Sequence, residues 1–185
     1  MDYQAIIDQY YAEDDELRHL LLLHSRQVAD RCLQVARNHR ELPLDVQFLE
    51  EAAMLHDIGI RWCHAPGIYC QGEQPYICHG LIGGRLLREM GFERHARVCE
   101  RHTGTGITAA EIIAQHLPIA PPRDLLPESL EEKVICYADK FFSKSRLNEG
   151  PKTMERARKS LAKFGGDTLQ RFDEMVALFG TPDSI

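Results

Sequence analysis

Apolar residues recur with a helical period along nearly the whole chain. Leu17, Leu21, Val28, Cys32 and Val35 share one face of a helix that Asp14-Asp15-Glu16 caps. Carboxylates there accept from the free N–H groups of a first turn and suit its positive end. This helix is expected to run to about Arg40, with His24 on the same stripe. A second opens near Asp45, carries Val46, Leu49, Ala53 and His56, and meets a C-terminal stop at Gly59. Residues 60–78 show no sustained period and read as a loop, of a length that usually serves function.

A third helix begins near His79, carries Ile82, Leu86, Leu87 and Met90, and ends at Gly91. Its Gly83-Gly84 pair costs helix propensity and points to close packing against another backbone. A fourth starts at about Glu93 and groups Val98, Cys99 and His102 before Thr103-Gly104-Thr105-Gly106 breaks it. A short helix at about 108–116 precedes a connection holding Pro118, Pro121, Pro122 and Pro127. Residues 129–147 form another helix, aligning Ile135, Asp139 and Phe142. Two amphipathic segments follow, with Met154, Leu161 and Phe164, then Leu169, Phe172, Val176 and Phe179. No strand pattern appears, and neither repeats nor a linker divide the chain. The expectation is one all-α domain over 1–185, with a core at about 20–147 and a C-terminal helical extension at about 151–180.

Composition narrows the functional classes. The 185 residues, 44% hydrophobic and 27% charged, suffice to bury a core without disulfides or metals as staples. No apolar run reaches the ~18–20 residues of a membrane span. Met1-Asp2-Tyr3-Gln4 does not open a signal peptide, so a cytoplasmic setting is expected. A net charge of −6 argues against duplex nucleic acid as partner. A small anionic substrate held by metal ions remains compatible with it. Cys32, Cys99 and Cys136 lie on apolar helical faces, as small hydrophobes. Cys63, Cys70 and Cys78 share the long loop with His64 in spacings unlike zinc knuckles. The apolar tail can cover the core or join a second copy of the chain.

Five helices each carry a histidine or aspartate on the stripe that should face the core: His24, His56-Asp57, His79, His102 and Asp139. Burying such groups unpartnered costs ~1–3 kcal/mol each. A shared metal centre satisfies all of them together. His56 and Asp57 stand where a helix stops, so two neighbouring side chains can turn toward one site. His79 stands at a helix start and His102 at a helix finish. His19, His39 and His95 read as surface residues, and His116 precedes the proline-rich connection.

The ordered pattern, with His56-Asp57-Ile58-Gly59, His79-Gly80, Glu100-Arg101-His102-Thr103-Gly104 and Tyr137-Ala138-Asp139-Lys140, resembles the HD superfamily of metal-dependent phosphohydrolases in its HDIG-type branch. It is similar to the bacterial diadenosine tetraphosphate hydrolases of that superfamily. The resemblance implies an HD-type helical bundle around a metal centre. It implies a first metal held by His24, His56, Asp57 and Asp139, and a second completed by His79 and His102. Asp57 would bridge the two ions and serve catalysis with a metal-activated hydroxide. One departure is visible: many HDIG proteins place lysine after the glycine, and this chain has Ile60 followed by Arg61.

Histidine and carboxylate donors accept iron, manganese, cobalt, magnesium or zinc. Two such ions lower the pKa of a water and neutralise phosphoryl oxygens. The expected reaction is hydrolysis of a phosphate ester or phosphoanhydride, on a nucleotide. Arg61, His64, Lys140 and Lys144 are candidate substrate contacts, and Trp62, Tyr69 and Tyr76 candidates for stacking on a base. The basic run from Lys144 to Lys163 reads first as a solvated helix face. Two alternatives use the same scaffold: a di-iron oxygenase of a small polyol or phosphonate, and a non-catalytic nucleotide-binding regulatory module.

Overall fold

The computed structural model describes residues 1–181, and the last four positions of the expected 1–185 span lie outside the described residues. Nine α-helices lie among the described residues. They are α1 Tyr3–Tyr10, α2 Glu16–Asn38, α3 Val46–Leu55, α4 His79–Glu89, α5 Glu93–Arg101, α6 Ala109–Ala114, α7 Leu130–Asp139, α8 Met154–Leu161 and α9 Thr168–Phe179. This is an all-α bundle with a little sheet. None of the described helices is long and apolar enough to cross a membrane.

Local chemistry sets the helix starts. Asp15 accepts from the Arg18 N–H at 2.8 Å to begin α2, and Asp45 accepts from Phe48 at 3.0 Å to begin α3. Thr108 and Glu111 form a reciprocal capping box on α6, and Ser129 caps α7 through Glu132. Along α2, Leu17, Leu21, His24, Val28, Cys32 and Val35 are all buried, so the expected stripe faces the core. The tail covers that same core: Phe172 and Phe179 pack on Tyr137, whose hydroxyl donates to the Gly180 carbonyl at 2.7 Å.

Several expectations are corrected. Helix α1 has no counterpart in the sequence reading; its Ile6 and Ile7 are buried, too few to declare a stripe. The stretch 60–78 is not structureless. It holds three 3₁₀ turns and strands β1 Cys63–Ala65, β2 Cys70–Gln71 and β3 Gln74–Pro75, with β1 central, antiparallel to β2 and parallel to β3. Strands of two or three residues are too short for alternation to show. The expected helix at 129–147 stops at Asp139, because residues 140–142 bond back three positions rather than four. Phe142 therefore leaves the row it was expected to share. His95 is not a surface residue: it is 9% exposed, packs edge-on against Phe48 and reaches Glu51 at 3.3 Å.

Gly59 is a packing residue rather than a helix stop. It lies inside the 3₁₀ turn Ile58–Trp62, where a Cβ would sit 2.1 Å from the His79 carbonyl oxygen and 2.6 Å from the Gly83 amide nitrogen. The glycines of α4 repeat this logic toward α5: a Cβ on Gly80 would meet the Cys99 carbonyl at 2.3 Å, and one on Gly84 the Ala96 carbonyl at 3.0 Å. Backbone lies against backbone on both sides of α4, and this brings His79 up to both His102 and Asp57. Gly59→Ala is therefore expected to destabilise the protein by about 3 kcal/mol or more in urea denaturation. Gly67→Ala, in open space, should stay within about 0.5 kcal/mol of the parent. Equal midpoints for the two variants would refute the packing argument.

Candidate metal centre

All six expected ligands meet in one place. His24 comes from the middle of α2, His56 caps the end of α3 and Asp57 follows it. His79 opens α4, His102 caps the end of α5 and Asp139 ends α7. Asp57 sits at φ −105° and ψ 10°, a bridge-region conformation that turns its side chain off the path of α3. His24, His56, Asp57, His79 and His102 are each no more than 3% exposed, and the Asp139 side chain is 12% exposed.

The Asp57 carboxylate divides the histidines into two pairs. Its Oδ2 lies 3.2 Å from Nε2 of both His24 and His56. Its Oδ1 lies 3.3 Å from His79 Nε2 and 3.4 Å from His102 Nε2. Asp139 Oδ1 joins the first pair, 3.0 Å from His24 and 3.7 Å from His56. Two groups of donors result, His24-His56-Asp57 and Asp57-His79-His102, with Asp57 common to both.

Backbone carbonyls orient three of these rings. Nδ1 of His56 lies 2.6 Å from the Ala53 carbonyl, that of His79 2.6 Å from Tyr76, and that of His102 2.9 Å from Cys99. Each Nδ1 must then carry the hydrogen and donate it, which leaves a lone pair on Nε2 of the neutral ring. His79 Nε2 and His102 Nε2 stand 3.1 Å apart, so two acceptors face each other with no proton to share. The Asp57 oxygens, the His56 Nε2 and both His24 nitrogens are buried without a hydrogen bond of proper alignment. Such a set is costly alone and is satisfied by a cation placed among the donors. The residues present fit a pair of divalent metal ions.

The electrostatics agree in sign. Burial pushes the Asp57 carboxyl up, but the Lys144 ammonium and His56 outweigh it and hold the group well below the usual carboxylate range. Burial likewise raises Asp139, and Lys140 with His24 more than reverses it. For His102, burial dominates and pushes the ring down to about 4, so it is neutral at pH 7. For His56, burial acts downward but Asp57 and Asp139 overcome it and raise the ring to about 9. With Nδ1–H already donating, that positive charge belongs at Nε2, the position a metal ion would take.

Of the four candidate substrate contacts, two reach the site. Lys144 Nζ is 2.6 Å from Asp57 Oδ2 and stands over the Tyr76 ring. Lys140 Nζ donates to the His102 carbonyl at 2.9 Å and to Asp139 Oδ2 at 2.7 Å. Both line a pocket of about 410 Å³ with Tyr76, Asp139 and Phe164. Arg61 does not reach it: its guanidinium lies over the Tyr11 ring, and its N–H donates to the Tyr11 hydroxyl. His64 is exposed on β1, away from the pocket wall. Among the aromatics, Trp62 anchors against Tyr10 and Tyr76 stacks on the His79 ring, while Tyr69 is exposed. All six cysteines are free, and no metal-binding group among the described residues includes one. Sequence reasoning missed Tyr76 as a support for His79; its only signal was an aromatic three residues before a ligand.

Removing the shared carboxylate should cost more than removing one imidazole. Asp57→Ala is expected to reduce bound metal to background in elemental analysis while far-UV helicity persists. His102→Ala should lose about half of the metal, because the His24-His56-Asp139 side is intact. The exposed His19→Ala should match the parent. Full metal content in Asp57→Ala would overturn the shared-ligand assignment.

Comparison with known proteins places the chain. The HD domain family matches residues 21–143, which include all six expected ligands. An uncharacterized protein of Methanocaldococcus jannaschii is 35% identical over 151 residues, covering 76% of this chain and 81% of that protein. A tRNA (cytidine(56)-2'-O)-methyltransferase of Picrophilus torridus is 35% identical over 107 residues, covering 57% of this chain and 27% of its own length. One of the same name from Thermoplasma volcanium is 27% identical over 146 residues, covering 77% and 37%. The chain thus spans well under half of either methyltransferase. No solved structure matches. From the family match and the ligand geometry together, this chain belongs to the HD domain family, the superfamily of metal-dependent phosphohydrolases that its His/Asp pattern resembles.

Proposed function

We propose that this protein hydrolyses a phosphate ester or phosphoanhydride of a nucleotide at a dinuclear metal centre. The observation that carries the reading is the division of the four histidines between the two oxygens of Asp57. A bridging carboxylate holds two ions at a fixed spacing, and a structural site for one ion has no need of it. His24, His56, Asp57 and Asp139 would hold the first ion, and Asp57, His79 and His102 the second. Two ions so held supply a water that is acidic near neutral pH and charge that offsets the phosphoryl oxygens.

The protein's own groups account for binding and orientation. The Nδ1–carbonyl bonds fix the imidazole planes, so the ligand set is aligned before substrate arrives. Lys140 is tethered to the His102 carbonyl and Asp139, leaving its ammonium at the pocket wall. Lys144 presents a second ammonium beside Asp57. The buried ammonium of Lys140 and the partly exposed one of Lys144 beside a donor cluster favour an anionic phosphoryl group over a neutral polyol, which sets hydrolysis ahead of the di-iron oxygenase alternative. Next to this pocket lies an apolar cavity of about 150 Å³, lined by Ile77, Ile107, Leu117 and Phe164 with Gln115 at its edge. The two share Gly104 and Phe164 as wall. A largely apolar slot with Thr103, Glu111, Gln115 and Thr168 as its polar lining suits a nucleobase, and this supports a nucleotide over a simple phosphate ester. The methyltransferase names describe those longer proteins and are not carried over. The donor set here is one for metal ions, the chemistry of hydrolysis rather than methyl transfer.

The decisive experiment is elemental analysis of protein purified without added metal, followed by phosphate-release assays over mono- and dinucleotides with the metal found. Turnover is expected with at least one nucleotide. Dioxygen consumption on a polyol, with no phosphate released from any nucleotide, would overturn the reading in favour of the oxygenase. Tight nucleotide binding without turnover under iron, manganese, cobalt and magnesium would favour the regulatory module. Lys144→Ala should retain metal and lose roughly 10- to 100-fold in kcat/KM, equivalent to ~1.4–2.7 kcal/mol of transition-state stabilisation.

A further inference from the structure

The pocket that Asp139, Lys140 and Lys144 line does not end at Lys144. It continues into a second groove of about 550 Å³ lined by Arg146, Lys152, Arg156, Lys159 and Lys163, with Glu149 as the single carboxylate in its wall. The two share Ser143, Ser145, Lys152 and Ser160, so they form one continuous depression. Five cations face one carboxylate here in a chain whose formal net charge is −6. Glu149 is already engaged with Arg156 at 3.1 Å and Arg146 at 3.6 Å. No ion pair holds Lys159 or Lys163 among the described residues.

A solvated helix face would scatter its charges outward over a convex surface. These come instead from the 3₁₀ turn Lys144–Glu149, the following loop and α8 with the turn after it, and they converge on a concavity. Burial, together with Lys140, Lys144 and Arg156, pushes the Lys152 ammonium below its ordinary value, against the pull of Asp139. Cations crowded this closely repel one another unless an anion lies between them. All five also stand beyond residue 143, where the match to the HD domain family ends. The groove's cations therefore all come from the C-terminal extension outside the matched span.

We propose that the groove is a second phosphate subsite, occupied by phosphate groups of the substrate other than the one attacked. The assignment rests on the nucleotide reading of the metal pocket. It narrows that reading to small nucleotides that extend at least one further phosphate away from the scissile bond. The base would lie in the apolar cavity, the reacting phosphorus over Asp57, and the remaining phosphates along Lys152, Lys159 and Lys163. Lysines suit this role as mobile point charges that follow a phosphate chain without demanding one geometry.

The test is equilibrium binding to the metal-loaded protein of AMP and of an ATP analogue with methylene bridges in place of its anhydride oxygens. The parent should bind the ATP analogue about tenfold or more tightly than AMP, with a gap that narrows as salt rises. In the variant Arg146→Gln/Lys159→Gln/Lys163→Gln, the gap should close to within about threefold while AMP affinity is unchanged. All three side chains are exposed, so the fold should tolerate the change, and AMP binding reports on it directly. No gap in the parent, or a gap that survives in the variant, would overturn the proposal. So would a 5′-phosphorylated trinucleotide that binds more tightly than the ATP analogue and is weakened by the same substitutions. Binding is read without turnover, so a missing phosphate-release activity would count against hydrolysis and leave this comparison standing.

Discussion

The carboxylate of Asp57 is the constraint around which the molecule is arranged. It is fully buried and held ionised, and four imidazole nitrogens stand within 3.4 Å of its two oxygens. A charge in that position is tolerable only if its surroundings supply compensating charge in a fixed geometry. The surroundings do so from helix ends. α3 delivers His56 and Asp57 as it stops, α4 delivers His79 as it starts, and α5 and α7 deliver His102 and Asp139 as they finish. The glycines that press α4 against Gly59 on one side and α5 on the other set how closely these ends approach. Packing that looks purely structural thus determines the spacing of the donors.

The His/Asp cluster was legible in the chain because each member is a polar exception on an apolar stripe or at its end. His24 interrupts the leucine-rich face of α2, and no single local partner explains a histidine or aspartate in every such stripe at once. Helix starts were readable for a related reason: Asp15, Asp45, Thr108 and Ser129 each accept from a backbone amide three residues on, a purely local interaction. Features set by distant contacts were not readable. The end of α7 depends on Lys140 folding back to the His102 carbonyl, and the burial of His95 depends on Glu51 and Phe48 from α3. Arg61 follows Gly59 closely in sequence and faces Tyr11, because α1 packs where no periodic signal announced it.

The same distinction explains the basic run from Lys144 to Lys163. Charge spacing along a chain does not encode whether the surface it lies on is convex or concave. The turn at Lys144–Glu149 and helix α8 fold the run around a concavity continuous with the pocket beside Asp139.

The order in which donors occur along the chain has a consequence for biosynthesis. A third of the set is in place only after α5 and α7 dock, since His102 and Asp139 come from elements far downstream of His24. No short segment of nascent polypeptide holds enough donors to capture an ion, unlike a zinc knuckle whose ligands are neighbours. Metal acquisition would therefore follow folding, with the pocket beside Lys140 and Lys144 as the opening nearest the cluster. Which ion is acquired is then decided by what the finished protein meets in its compartment, with copper and zinc favoured by intrinsic affinity over manganese or iron.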